Sequence, residues 1–159
     1  IFSQISGEKS QDATFSNGYT YSGHPVSSAA ALKNIEIIEN EGLLEHVREI
    51  APYFQQRLKE LSKLPLVADT RGVGLVGCVE CRIVDPDDPD ALEMDIAMGS
   101  RIDKHCQQLG LIVRPLWNMC VFSPPLIITP KQIDEMFNIL EQGIILATED
   151  LRQAGLWKG

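Results

Sequence analysis

Apolar side chains recur along the chain at two intervals, close to 3.6 residues in some stretches and 2 in others, as helices and strands require. Between Pro25 and Glu41 the apolar positions are Val26, Ala29, Ala30, Leu32, Ile35, Ile37 and Ile38. They lie on more than one side of a helix, which predicts a helix largely buried between neighbours. Gly42 breaks it. Leu44, Val47, Ala51, Phe54, Leu58 and Leu61 then return at helical spacing opposite Glu45, Arg48, Gln56 and Lys59. A second, amphipathic helix from about Leu43 to Leu61 follows, with Pro52 a candidate kink and Pro65 its end.

Leu66–Thr70 and Gly74–Val84 alternate and predict two strands, joined through Arg71, Gly72 and Val73 by a turn or bulge. DPDDPDALEMD is an acidic, proline-rich surface loop without the glycine and spacing of an EF-hand. A third helix is expected from about Leu92 to Leu109, burying Ile96, Met98, Ile102, Cys106 and Leu109 and stopping at Gly110. Leu111–Arg114 and Met119–Phe122 predict two short strands around a turn at Pro115–Asn118. Thr129, Pro130 and Gln132 give a cap, a first-turn proline and a capping-box glutamine. The last helix carries Ile133, Met136, Phe137, Leu140, Ile144, Ala147 and Leu151 on one face, with Leu156 and Trp157 docked or frayed after it. Residues 1–16 are polar and aperiodic and read as a loop. Helices interleaved with hairpin-like strand pairs make an α+β layer with a small, mainly antiparallel sheet, not a doubly wound parallel one.

The 159 residues suffice for one domain with a real core. A net charge of −8 argues against nucleic acid or an anionic membrane as partner. No apolar run reaches the roughly 20 residues of a membrane helix. Cys78 and Cys81 form a C-x-x-C, but on a predicted strand, where their side chains point to opposite faces. Neither a redox pair at a helix start nor a zinc site fits that placement. Cys78, Cys81, Cys106 and Cys120 therefore read as buried or half-buried thiols of a reducing cytoplasm.

Candidate chemistry concentrates at two places. NGYTYSGHPVSSAAA combines Gly18, Gly23, the hydroxyls of Thr20 and Ser22, and Pro25 at a helix start. Backbone N–H groups, a hydroxyl and a helix N-terminus together make an anion site, beside the alternative of a plain glycine-rich cap. Arg114 ends an apolar run, precedes Pro115 and leads into Leu116–Trp117. A guanidinium beside an aromatic and a proline suits bidentate capture of a carboxylate or phosphate, beside the alternative of a structural ion pair. Arg71 reads mainly as a turn residue. His24, His46 and His105 are scattered, no lysine has the apolar surroundings of a Schiff-base lysine, and no residue here is a candidate catalytic group or metal ligand.

The phrases GYTYSGHPVSSAAALKNIEIIENEG, TRGVGLVGCVE, LGLIVRP and FSPPLIIT, in this order, resemble the C-terminal part of class III (omega) aminotransferases. These are pyridoxal-phosphate enzymes of the aspartate-aminotransferase fold (fold type I). The resemblance implies that residues 1–24 end the large domain and carry the cofactor-phosphate loop, with 25–159 as the C-terminal small domain. It places Tyr19 and Thr20 where the family reaches across a homodimer to the partner's cofactor phosphate. Arg114 matches the mobile arginine that pairs with a substrate carboxylate, and Leu116 and Trp117 border the same pocket. Asn17 replaces a histidine common in the family. By the same resemblance the cofactor-anchoring lysine lies upstream, so this chain is a C-terminal portion, inactive alone, of a cytoplasmic enzyme moving an amino group from an amine or amino acid to a keto acid such as pyruvate. The alternatives are another fold-type-I enzyme, a mutase or decarboxylase, and a non-catalytic stand-alone α+β binding module.

Overall fold

A computed structural model of the chain describes residues 18–157. The loop expected over 1–16, Asn17 and Lys158 lie outside the described residues. The chain divides into two compact units between Glu41 and Gly42.

In the first unit a tight turn leads into helix α1, Pro25–Asn40. His24 caps it: its Nδ1 accepts the Ser27 N–H at 3.3 Å, and Pro25 occupies the first turn. The boundaries are as expected, but the burial is not. No residue of α1 is buried; Val26 and Leu32 are 71% and 68% exposed. Apolar residues on several sides need several covering elements, and within this unit the described residues offer only one turn.

The second unit opens with α2, Leu43–Glu60, which runs through Pro52 and ends in a single 3-10 turn, Leu61–Lys63. Strands β1 (Val67–Val73) and β2 (Val76–Cys81), helix α3 (Ala91–Gln108), strands β3 (Pro115–Leu116) and β4 (Met119–Phe122), and helix α4 (Pro130–Gln153) follow. The sheet is antiparallel in the order β1-β2-β4-β3. Helices α2 and α3 lie against it, and α4 packs on both helices. This is the expected α+β architecture with the expected order of elements. Phe54, Val79, Met98, Ile102, Cys120, Ile133, Phe137 and Ile144 are completely buried. Each large apolar side chain withdrawn from water contributes about 1.5–3 kcal/mol. Phe137 of α4 is the hub: its ring meets Phe54 of α2 edge-on at 5.1 Å and Phe122 of β4 at 6.1 Å.

Two strand boundaries differ from expectation. Arg71, Gly72 and Val73 pair with Cys78, Gly77 and Val76, so they belong to β1 and not to a connecting turn. The reversal falls at Gly74–Leu75, where Gly74 takes φ +60°. Its lack of a Cβ makes that position cheap. Leu111–Arg114, expected as a strand, is extended without strand partners among the described residues. The Leu111 N–H is already spent, donating to Cys106 O at 2.8 Å, while Gly110 N–H donates to Gln107 O. This Schellman closure ends α3 at the cost of a sheet donor. Pairing with β4 therefore begins at Pro115. Leu44, Ile96 and Leu109, all placed on buried stripes, are exposed. The capping box of α4 is present: Thr129 Oγ1 accepts the Gln132 N–H and Gln132 Oε1 accepts the Thr129 N–H. Leu156 and Trp157 dock against the core, Trp157 under the Arg152 guanidinium.

Candidate functional site

Tyr19 and Thr20 belong to the first unit, Arg114 and Trp117 to the second. At the first place the turn closes on itself. Ser22 N–H donates to Tyr19 O at 2.8 Å, and Tyr19 N–H donates to Ser22 Oγ at 2.7 Å. That leaves the N–H groups of Thr20 and Tyr21 and the Thr20 hydroxyl exposed and without partners among the described residues. Successive amides at a turn tip, with a hydroxyl beside them, are donors of the kind that bind an anion. The helix end contributes less than expected, because His24 already caps it. With no carboxylate in the turn, the Thr20 and Tyr21 amides and the Thr20 hydroxyl are of a kind that fits a phosphate such as that of pyridoxal phosphate, whereas the Tyr19 N–H is already held by Ser22 Oγ.

At the second place Val113 is buried, Arg114 is exposed and Pro115 starts β3. Every other described arginine is engaged. Arg48, Arg57, Arg71 and Arg82 pair with carboxylates, Arg101 donates to Ala97 O, and Arg152 covers Trp157. Arg114 alone among the described arginines has no ion pair, hydrogen bond or stacked ring from a described residue, so the structural ion-pair alternative finds no support there. Trp117 begins a two-residue hairpin loop with φ +57°, the sign glycine favours at that position. Its ring stands out of the sheet, 58% exposed. Beside it Ile96, Ser100, Pro115 and Trp117 line a cleft of about 250 Å³.

The remaining candidates are structural. Arg71 donates to Asp69 Oδ2 and Glu80 Oε2, both at 2.7 Å, and lies on Met119 Sδ at 3.2 Å. Cys78 is half-exposed on the open face of β2 and Cys81 buried on the other, as the strand alternation demands. Burial raises all the thiols above their ordinary value, Cys81 to about 12 and Cys106 to about 11. His46 Nε2 contacts Ile128 O at 2.9 Å and His105 Nε2 contacts Asp150 Oδ2 at 2.7 Å. Among the described residues no three His, Cys, Asp or Glu side chains are placed to hold a metal ion, and no helix is long and apolar enough to cross a membrane.

Sequence reasoning missed Gly99 and Asn118, which touch the Arg114–Trp117 segment from two sides. A glycine inside a strong helical pattern was the one available signal for Gly99. Nothing in the phrase PLWN distinguished Asn118.

Comparison with known proteins identifies the family. The aminotransferase class-III family model matches residues 3–144. Putrescine–pyruvate aminotransferase of Pseudomonas aeruginosa is 42% identical over 130 residues, covering 81% of this chain and 28% of that protein. A probable mitochondrial gamma-aminobutyrate transaminase 3 of Oryza sativa subsp. japonica is 36% identical over 155 residues, covering 96% of this chain and 29% of that one. Among solved structures, a PLP-bound aminotransferase mutant from Vibrio fluvialis superposes with a TM-score of 0.74 at 39% identity, over 86% of this chain and 30% of that chain. The chain thus spans under a third of the length of these relatives. With the small α+β unit, the phrase order and the family match in agreement, the chain belongs to the class III aminotransferases.

Proposed function

We propose that this chain is the C-terminal part of a pyridoxal-phosphate-dependent transaminase that passes an amino group from an amine or amino acid to a keto acid such as pyruvate. The observation that carries the proposal is the exposed Arg114 guanidinium, without a partner among the described residues, at the head of the apolar Leu116–Trp117 turn. An arginine kept out of ion pairs in a chain with 22 acidic residues is available for a carboxylate that arrives from outside. Its planar fork accepts that carboxylate through two parallel hydrogen bonds.

In this reading the Thr20 hydroxyl and neighbouring amides hold the phosphate of the partner subunit's cofactor within a homodimer. Arg114 orients the keto acid by its carboxylate, and Leu116 and Trp117 exclude water from the aliphatic part. Movement of the Arg114 side chain admits substrates that lack a carboxylate. When bound, pyridoxal phosphate supplies the electron-sink chemistry of amino transfer, and the protein supplies binding and orientation. The division at residues 24 and 25 into large-domain end and small domain is part of the same proposal. So is the absence of activity from this chain alone.

The test uses the intact enzyme that carries this chain, with putrescine or gamma-aminobutyrate as donor. Arg114→Ala lowers kcat/KM for pyruvate about 10- to 100-fold, the worth of a charge-assisted hydrogen-bond pair, and leaves an uncharged aldehyde acceptor nearly unchanged. Equal losses on both acceptors refute the role of Arg114. Thr20→Val in the same enzyme weakens cofactor retention about tenfold; unchanged retention on dialysis refutes the phosphate role.

A further inference from the structure

Gly99 sits in the middle of α3, buried, with Pro115 and Trp117 pressed onto it. A Cβ at this position would overlap the Trp117 carbonyl oxygen and stand 3.0 Å from the Trp117 carbonyl carbon and 3.1 Å from Pro115 Cβ. The obstacle is backbone, so no side-chain rotation relieves it. On the other side of the turn Asn118 is almost fully buried. Its Nδ2 donates to Cys81 O at 2.9 Å and its carbonyl accepts the Cys81 N–H at 3.0 Å. The two-residue loop is thereby pinned to α3 on one side and to the end of β2 on the other, with Trp117 held at φ +57°.

We propose that Gly99 and Asn118 are positioning residues for substrate recognition: together they clamp the Trp117–Asn118 turn and so set where the Arg114 guanidinium reaches. Pro115 links clamp and arginine directly, since it touches Gly99 and follows Arg114 in the chain. The backbone at the base of Arg114 is fixed, and its movement is confined to the side chain. Ile96 and Ser100, on the turns of α3 flanking Gly99, line the cleft that Pro115 and Trp117 complete, so a shift at position 99 also moves this wall. This inference rests on the carboxylate-binding role of Arg114 proposed above.

The experiment compares pyruvate with an uncharged aldehyde acceptor in the intact holoenzyme. Gly99→Ala raises KM for pyruvate about 10- to 100-fold, the cost of misplacing a positioning group by about 1 Å, while kcat with the aldehyde and the absorbance of bound cofactor stay near those of the parent. Asn118→Ala loosens the other side of the clamp and shifts acceptor preference the same way. It also decides the matter if Gly99→Ala does not accumulate as folded enzyme. Loss of activity equal for both acceptors, or none in either variant, overturns the clamp. The failure of Arg114→Ala to discriminate between acceptors overturns instead the reading beneath it, so the two failures are distinguishable.

Discussion

Arg71 and Arg114 differ in what their guanidinium groups already touch. The Asp69 and Glu80 carboxylates engage Arg71 and push its pKa further above its ordinary value. Its charge is neutralised within the fold, whereas that of Arg114 is paired with no carboxylate among the described residues. From sequence Arg71 read mainly as a turn residue, and the cross-strand register Arg71↔Cys78, which brings Glu80 alongside, shows it instead to be a paired strand residue. The cysteines show burial as the dominant cause of a shift. Their ordinary pKa of 9.0 rises to about 11 for Cys106 and about 12 for Cys81, chiefly because burial disfavours the thiolate. The folded chain therefore holds protons that the unfolded chain has released, and stability is full below pH 9 and falls as pH rises through the folded values. Each thiol erodes stability by up to about 1.4 kcal/mol per pH unit in that window. Urea unfolding followed from about pH 8 to about pH 11 shows this decline, and Cys106→Ala flattens it. An unchanged alkaline slope in that variant contradicts the assignment.

Helices were legible where periodicity and capping agreed. For α4, Thr129, Pro130 and Gln132 announce the start, and the buried face from Ile133 to Leu151 falls on the expected residues. The Thr129 hydroxyl satisfies an amide that the first turn leaves unpaired. Thr129→Ala should cost about 0.5–2 kcal/mol, read as a lower urea midpoint with unchanged m-value; an unchanged midpoint shows that water replaces the cap. Strand edges were less legible, because a strand exists only where a neighbour pairs with it. Leu111–Val113 has strand composition, but closing α3 takes its first amide. Arg71–Val73 has turn composition, but β2 supplies partners. Neither outcome is written in the local residues.

The molecule as a whole concentrates its burial in one unit. Every buried apolar residue lies between Ile50 and Leu151, inside the unit Gly42–Gly159. Among the described residues, 18–41 contribute none of the core. A chain of residues 42–159 should therefore unfold in urea within about 0.5 kcal/mol of a chain of residues 18–159, the spread expected when no buried residue is removed. A loss of several kcal/mol would assign α1 a structural role in the isolated chain. The apolar surface of α1, which sequence reasoning expected to be covered, remains exposed among the described residues, and the chain matches under a third of the length of its relatives.

Periodicity, caps and phrase order were enough to determine the class of fold, the order of its elements and the family, because each is encoded in residues close together along the chain. Those same residues could also nominate Thr20 and Arg114, since donors and guanidinium groups are visible as residue types. Whether a charged group is spoken for, and what holds it in place, depends on partners far away in the sequence. Gly99 meets Trp117 and Asn118 meets Cys81 only after α3 and the sheet have packed, and so the availability of Arg114 and the clamp beneath it were decided by the tertiary structure.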